Sequence, residues 1–131
     1  MTRAADTIGE LMTSDVVTVP PDSTVRDALR QMIEHDIGSV VVTEGGRAIG
    51  VFTERDVTRH VLTDAALLDE QVRDLMSSSV ISVAPGDQVV DVFDLMNSKG
   101  IRRLPVVDDD RLVGIVTEGD LRRWVGQVAK E

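Results

Sequence analysis

The feature that most constrains the fold is an internal repeat, since residues 11–61 align with residues 75–125 at a constant offset of 64 positions without a gap. The matched pairs include Leu11 with Leu75, Met12 with Met76, Val19 with Val83, Pro21 with Pro85, Met32 with Met96, Gly50 with Gly114, Thr53 with Thr117 and Asp56 with Asp120. Such self-similarity indicates copies of one supersecondary unit that cannot bury its apolar face alone. With two copies, the sequence predicts a pseudo-symmetric pair.

The order of elements within each copy follows from the hydrophobic period. The runs VVTV at 16–19 and VISV at 80–83 are short and β-branched, which predicts strands. Apolar residues then recur at helical spacing, which predicts a one-sided helix. Next comes a hairpin, SVVVT with AIGVF in the first copy and LPVVD with LVGIV in the second, and a final helix follows it. The predicted fold class is α+β, with two pseudo-symmetric β-α-β-β-α units that pack on each other.

The repeat also predicts domain boundaries. A chain of 131 residues has room for one compact domain or for two half-domains that share a core. We expect a first domain at 1–66 and a second at 67–131. The joining segment TDAALLDEQ, at 63–71, contains neither Gly nor Pro, which favours a short helical tether over a flexible linker.

Each hairpin ends in Thr-x-x-Asp, within GVFTERD at 50–56 and GIVTEGD at 114–120. A threonine followed three residues later by an acid is typical of a capping box, in which the two side chains satisfy backbone N–H groups at a helix start. On this interpretation the motif is a local helix start that contributes about 1 kcal/mol. The same spacing at Thr24 and Asp27, after a Pro-Pro turn, shows that spacing alone does not indicate a ligand site.

Composition excludes several classes of function. The net charge of -9 disfavours nucleic acid as a partner, because Lys and Arg contacts to phosphate supply most non-specific affinity. No apolar run approaches the roughly 20 residues of a membrane span, and the start of the sequence lacks the apolar core of a signal peptide. We therefore expect a cytoplasmic protein without a membrane partner. The absence of cysteine excludes disulfides, thiolate zinc sites and cysteine nucleophiles.

The motifs together carry a family resemblance. Leu-Met before the first strand, LPVVD in the hairpin and G-x-x-T-x-x-D before the last helix resemble a pair of CBS domains over nearly the whole chain. The resemblance implies a Bateman module, in which two CBS units pack through their sheets and leave two pseudo-symmetric clefts between them. It implies AMP, ADP, ATP or S-adenosylmethionine as the ligand, with no required cofactor. It also implies a homodimer that signals to a separate effector protein.

By the family's pattern, one copy supplies Thr and Asp while the other supplies the pocket for the base. The favoured cleft would comprise Thr117, Asp120, Arg102 and Arg103, with Met12, Val16, Val17, Ile37, Gly38 and Ser39 around the base. Asp120 would accept hydrogen bonds from both ribose hydroxyls, as an acidic residue does in dinucleotide-binding folds, and the helix start would suit phosphate. Plain core packing remains an alternative for the aliphatic members, and a solvated edge remains one for the two arginines.

The mirror cleft differs from the favoured one. It would use Thr53, Asp56, Met76, Val80, Ile81 and Ile101. Gly38 and Ser39 correspond to Arg102 and Arg103, so the mirror base pocket has bulky cations where the favoured pocket has space. The sequence thus predicts two non-equivalent clefts. Gly38 has two interpretations, either close approach of a ligand to backbone or a helix C-terminal glycine.

Other functional classes find little support in the sequence. It contains no Gly-x-Ser-x-Gly elbow and no P-loop, and no histidine lies next to an obvious nucleophile, which predicts no catalytic residue. His35 and His60 lack the spacing of metal ligands and are interpreted as exposed helix residues, so no metal site is expected. The alternative to ligand sensing is a structural dimerisation module with empty clefts. Both copies retain Thr and Asp, which favours ligand sensing.

Overall fold

The computed structural model describes residues 4–78 and 80–130. Its elements, in chain order, are helix α1 (Ile8–Leu11), strand β1 (Thr18–Val19), helix α2 (Val25–His35), strands β2 (Ser39–Glu44) and β3 (Arg47–Thr53), helices α3 (Glu54–His60) and α4 (Val89–Lys99), strands β4 (Arg103–Asp108) and β5 (Arg111–Thr117), and helix α5 (Glu118–Val128). Two 3-10 turns, Leu67–Asp69 and Val72–Asp74, lie between α3 and α4. The predicted α+β class is confirmed. The tether predicted at 63–71 contains one of these short turns instead of a full helix.

The two predicted hairpins are confirmed, and their turns explain their geometry. Strands β2 and β3 pair antiparallel across Gly45 and Gly46, whose φ values of 61° and 81° suit glycine. Strands β4 and β5 pair in the same way across Asp109 and Asp110, with φ values of 52° and 66°. Positive φ at both central residues is the geometry that matches the twist of a two-residue hairpin. Aspartate tolerates it better than most side chains do.

The predicted first strands form only in part. In the first copy β1 is two residues long and pairs parallel with β2, Thr18 lying opposite Val41. In the second copy VISV forms no strand among the described residues, and pairing is reduced to one parallel bridge between Val83 and Val106. Its two bonds, from Val83 N to Pro105 O at 3.1 Å and from Val107 N to Val83 O at 2.8 Å, hold a single residue in place. The β-branched composition of VISV predicted a strand, and the paired segment is shorter than that prediction.

The helices α2 and α4 each bury one face and differ at their ends. Thr24 caps α2, its side chain accepting from Asp27 N at 3.1 Å, whereas Gln88 at the same place in α4 makes no such bond. At the other end Asp36 takes the left-handed conformation with φ 52°, and Gly100 takes it after α4 with φ 65°. One backbone path is thus encoded by different residues in the two copies.

The chain forms two compact units that are not the two halves of the repeat. The continuous unit is Val16–Val80, and the split unit combines Met1–Asp15 with Ile81–Glu131. The boundary predicted at 66/67 stays a prediction about the sequence repeat. In the structure, the segment that leads each repeat packs with the body of the other repeat.

Backbone bonds tie the leading segment into the split unit. Ile8 N donates to Asp87 O at 2.9 Å, and Thr13 exchanges two bonds of 2.9 Å with Ile115 on β5. The Trp124 indole N–H of α5 donates to Ala5 O at 2.7 Å. The buried core of this unit consists of Ile8, Val83, Val89, Val92, Met96, Leu104, Val106, Val116 and Leu121. Ile8, from the leading segment, is completely buried in it.

The continuous unit repeats these contacts with the other leading segment. Val72 N donates to Ser23 O at 2.8 Å, and Val51 on β3 exchanges two bonds of 3.0 Å with Ser77. Its buried core consists of Val19, Val25, Ala28, Met32, Val40, Val42, Phe52, Leu67 and Val72. Full burial of one such apolar side chain contributes about 1.5–3 kcal/mol. Leu67 and Val72 precede the second repeat in the sequence, yet they stabilise the continuous unit, whose helices and strands come from the first repeat.

Candidate functional site

The helix start at Thr117 is a complete capping box. Thr117 Oγ1 accepts from Asp120 N at 3.3 Å, which satisfies a backbone donor of the first turn of α5. In return Asp120 Oδ2 accepts from Thr117 N at 2.8 Å and from Thr117 Oγ1 at 3.1 Å. The turn places a threonine hydroxyl, a carboxylate and the N–H groups of a helix start within one short stretch of chain.

Thr53 and Asp56 form the same box at the start of α3. Asp56 Oδ2 accepts from Thr53 N at 2.8 Å and from Thr53 Oγ1 at 3.2 Å, and Thr53 Oγ1 accepts from Asp56 N at 3.4 Å. The capping interpretation is thus confirmed in both copies. The two boxes differ only in what surrounds them.

The second oxygen of each carboxylate shows that difference. Asp120 is buried, with 5% of its side chain exposed, and its Oδ1 accepts a hydrogen bond from Arg123 Nη2 in an ion pair. Asp56 is only half-buried. Within residues 4–78 and 80–130, its Oδ1 receives no recorded hydrogen bond, although Arg59 stands where Arg123 stands in the other copy. The carboxylate of Asp120 is therefore buried and hydrogen-bonded through both oxygens, whereas that of Asp56 is more exposed and hydrogen-bonded through Oδ2.

Arg102 and Arg103 both lie beside the start of α5. Arg102 O accepts from Glu118 N at 2.9 Å, and its Nε lies 3.7 Å from Glu118 Oε2 in an exposed ion pair. Arg122 Nη2 reaches the same carboxylate at 3.3 Å. Arg103 opens β4 directly opposite Thr117 in the strand register and is half-buried. Four arginines and two acids thus surround one helix start, with net positive charge.

The corresponding place in the continuous unit has the same backbone, with the uncharged Gly38 and Ser39 where Arg102 and Arg103 stand. Glu54 N donates to Gly38 O at 3.1 Å, and buried Ser39 lies opposite Thr53 in the register of β2 and β3. The interpretation of Gly38 as a helix C-terminal glycine is wrong, because Asp36 is the left-handed residue that ends α2. Close approach of a ligand to Gly38 stays a prediction.

The structure groups the predicted residues by unit. The split unit contains Met12, Ile81, Ile101, Arg102, Arg103, Thr117 and Asp120, and the continuous unit contains Val16, Val17, Ile37, Gly38, Ser39, Thr53, Asp56, Met76 and Val80. Met12 belongs to the repeat opposite that of Thr117, and its side chain packs on Gly114, three residues before Thr117, within the split unit. Ile37, Val17 and Met76 pack against the continuous core, so the core-packing alternative accounts for their burial. Assembly of the two sets around one ligand stays a prediction.

The histidines occupy the helices as expected but differ in exposure. His35 is exposed and its Nδ1 lies 3.0 Å from Gln31 O, whereas His60 is half-buried with Nδ1 2.8 Å from Asp56 O. In the part of the chain that the structure describes, no group of three or more His, Asp or Glu side chains is arranged to hold a metal ion. No helix among the described residues is long and apolar enough to cross a membrane.

Sequence reasoning missed Arg123 as a partner of the site. The available signal was an arginine three residues after the motif aspartate in both copies, Arg59 and Arg123, at a spacing that brings side chains together on a helix. The sequence does not show that only the second of these arginines contacts its aspartate.

Comparison with known proteins identifies the class to which these paired α+β units belong. The CBS domain model matches residues 8–63 and 72–127, and each match includes the leading segment of its repeat. The chain belongs to the CBS-domain family and carries two such domains in tandem.

Two relatives and one solved structure show the extent of the likeness. An uncharacterised protein of Methanopyrus kandleri is 44% identical over 117 residues, which cover 87% of this chain and 60% of that protein. The CBS domain-containing protein YhcV of Bacillus subtilis is 36% identical over 124 residues, covering 95% of this chain and 87% of YhcV. The crystal structure of CBSX2 in complex with AMP superposes with a TM-score of 0.82 at 28% identity, over 95% of this chain and 99% of that one.

Proposed function

We propose that this protein is a non-catalytic regulatory module that binds an adenosine-containing ligand and signals its presence to an effector protein. Support comes from membership of the CBS-domain family and from CBSX2, a similar protein solved with AMP. Ligands of the AMP, ADP or ATP type, or S-adenosylmethionine, fit the proposal. No cofactor is required.

The observation that carries the proposal is the buried carboxylate of Asp120. Burying a charge is costly unless hydrogen bonds and a counter-charge compensate, and here Thr117 and Arg123 supply both. A capping box needs no such burial, as Asp56 shows by forming the same box half-exposed. Hydrogen bonds are stronger in the low dielectric of a protein interior, so a buried carboxylate at a helix start is suited to accept hydrogen bonds from the hydroxyls of a ribose.

The phosphate end of the ligand would lie near the first turn of α5. Unpaired N–H groups and the partial positive charge of a helix start favour anions there. Arg102 and Arg103 add full charges beside it. Met12, Val16, Val17, Ile37, Gly38 and Ser39 are the proposed surroundings of the base, and Thr53, Asp56, Met76, Val80, Ile81 and Ile101 would form the weaker mirror site.

Signalling follows from differential affinity. A ligand shifts a conformational equilibrium only as far as it binds one arrangement better than another. A ligand that contacts both repeats would favour one arrangement of them, and an effector would respond to that arrangement. A homodimer in the cytoplasm is the proposed setting.

The decisive test changes Asp120→Asn, which keeps the shape and an oxygen for the helix start but removes the charge. Charged hydrogen bonds contribute about 1.5–3 kcal/mol, so affinity for AMP should fall about tenfold or more in titration calorimetry. The melting temperature without ligand should move little. Asp56→Asn is the matched control and should cost less affinity. An unchanged affinity in both variants, for a ligand that binds the parent protein, would show that Thr-x-x-Asp only starts helices.

The alternative is a structural dimerisation module that takes no ligand. The completeness of both capping boxes favours it, because Thr53, Asp56, Thr117 and Asp120 already have structural partners. A thermal-shift panel of adenosine compounds separates the two functions. A ligand at 100 times its dissociation constant stabilises the folded state by about 2.7 kcal/mol, and a scaffold would show no shift with any compound.

A further inference from the structure

The carboxylate of Asp120 has little capacity left for a ligand. An ionised carboxylate offers about four acceptor positions, two on each oxygen. Oδ2 already accepts from Thr117 N at 2.8 Å and from Thr117 Oγ1 at 3.1 Å, so both of its positions are used. Oδ1 accepts from Arg123 Nη2. One acceptor position therefore remains, whereas the two hydroxyls of a ribose need two.

Arg123 is the partner most easily displaced. Its side chain is 68% exposed while that of Asp120 is 5% exposed, so the guanidinium can leave for water but the carboxylate cannot. Thr117 is fixed by its place in the backbone at the start of α5. A ribose that approaches Asp120 thus either uses the single remaining position or competes with Arg123 for the second.

We propose that Arg123 is a specificity-determining residue that limits Asp120 to one ribose hydroxyl. This inference rests on the proposed function and deepens it. While Arg123 holds Oδ1, removal of one hydroxyl from the sugar costs little, because the second hydroxyl has no acceptor of its own on Asp120. The site therefore recognises the adenosine more by its base and phosphates than by an intact ribose.

The other repeat supports this role by contrast. The motif and the arginine three residues later are both present at Asp56 and Arg59, yet the described structure records no bond between them. Asp56 keeps both positions on Oδ1 for a ligand. The contact of Arg123 is therefore a feature of one site and not a general consequence of the motif.

The test compares ribose with deoxyribose in Arg123→Met, which keeps the aliphatic stem of the arginine without its charge. The probes are adenosine, 2′-deoxyadenosine and 3′-deoxyadenosine, which carry no phosphate whose attraction to a cation would change. Titration calorimetry uses the full chain with Asp56→Asn in every variant, so that the other carboxylate contributes equally throughout. The matched control is Arg122→Met, because Arg122 lies on the same helix and pairs with Glu118 instead.

We expect Arg123→Met to bind adenosine more tightly and to raise the preference for adenosine over both deoxyadenosines by about fivefold or more, as a hydrogen bond to a charged group implies. Arg122→Met should leave that preference unchanged. An unchanged preference in Arg123→Met, with Asp120→Asn still weakening adenosine, would overturn the inference alone. A protein that binds none of the three nucleosides, or binds them unaffected by Asp120→Asn, would overturn this inference. The proposed function would fall with it only if no adenosine compound, AMP included, binds the protein.

Discussion

The helix starts at Thr53 and Thr117 have nearly the same backbone, with φ and ψ of -128° and 164° at Thr53 and of -120° and 164° at Thr117. Their internal hydrogen bonds also agree in pattern. What differs is the environment of the aspartate, which is buried and paired with Arg123 at Asp120 and half-exposed at Asp56. The motif therefore specifies the helix start, while neighbouring residues determine the chemistry of the carboxylate.

A second pair of positions shows the same separation of backbone from chemistry. Glu54 N bonds to Gly38 O at 3.1 Å, and Glu118 N bonds to Arg102 O at 2.9 Å. The frame is shared, yet one copy has no side chain there and the other has an arginine. The backbone hydrogen bond is thus the same in the two copies, while the side chains at Gly38 and Arg102 differ.

Two fragments, residues 16–80 and residues 1–66, test whether the compact units or the halves of the repeat fold on their own, and we expect a large difference in stability between them. Residues 16–80 contain the complete core of the continuous unit, whereas residues 1–66 lack Leu67 and Val72. Loss of these two buried side chains lowers the free energy of unfolding by about 3–6 kcal/mol. That loss is comparable to the whole free energy of unfolding of a small domain. We expect residues 16–80 to give the better dispersed amide spectrum and the more cooperative urea transition.

The two fragments have nearly equal length, so chain length does not explain a difference between them. Equal folding of both, or better folding of residues 1–66, would contradict the packing of each leading segment with the other repeat. It would restore 1–66 and 67–131 as the folding units.

Substitution of Gly50 and Gly114 tests whether the leading segment packs equally closely on its strand in the two units. A Cβ added at Gly114 would lie 3.0 Å from Thr13 O, and one added at Gly50 would lie 3.0 Å from Ser77 O. A methionine side chain also covers each glycine, from Met12 and Met76 respectively. Gly114→Ala and Gly50→Ala should each destabilise the full chain by about 1–3 kcal/mol in urea unfolding, because the backbone oxygen cannot move aside as a side chain does.

Gly86→Ala is the control, since nothing lies within 4 Å of a Cβ there. A clear loss of stability at Gly114 and none at Gly50 would show that the two leading segments are held differently. The equivalence of the two frames would then be wrong.

The sequence predicted the parts of the fold that depend on local chemistry. Hairpin turns at Gly45 and Asp109, and helix starts at Thr53 and Thr117, follow from residues adjacent in the chain, and all are confirmed. The exchange of leading segments was not predictable, because the core residues Ile8 and Val72 are equally apolar whichever body they pack on. Periodicity identifies a buried face but does not identify its partner.

The candidate site divides in the same way. The capping boxes follow from Thr-x-x-Asp, whereas the burial of Asp120 and its contact with Arg123 depend on packing that no local pattern records. The two arginines at 59 and 123 are indistinguishable in the motif, yet only the second is recorded in contact with its aspartate among the described residues. Residue types therefore predict which groups are available, and their tertiary surroundings determine which groups interact.

The smallest expected effect concerns the cations that distinguish the two helix starts. Arg102 is 70% exposed and already paired with Glu118, and Arg103 is half-buried opposite Thr117. We therefore expect each to act on a phosphate through a partly screened charge. Changing both to Ala should weaken AMP and ATP by about fivefold and leave adenosine nearly unchanged, since charge-assisted bonds to phosphate are lost and none to the nucleoside. The difference should shrink at high salt, because ions screen exposed charges. Arg26→Ala with Arg30→Ala on α2 makes the same change of net charge as a control and should affect the three ligands alike. Equal losses for AMP, ATP and adenosine in the Arg102 and Arg103 variant would place both arginines on a solvated edge, and the charge difference between the two helix starts would then have no part in ligand choice.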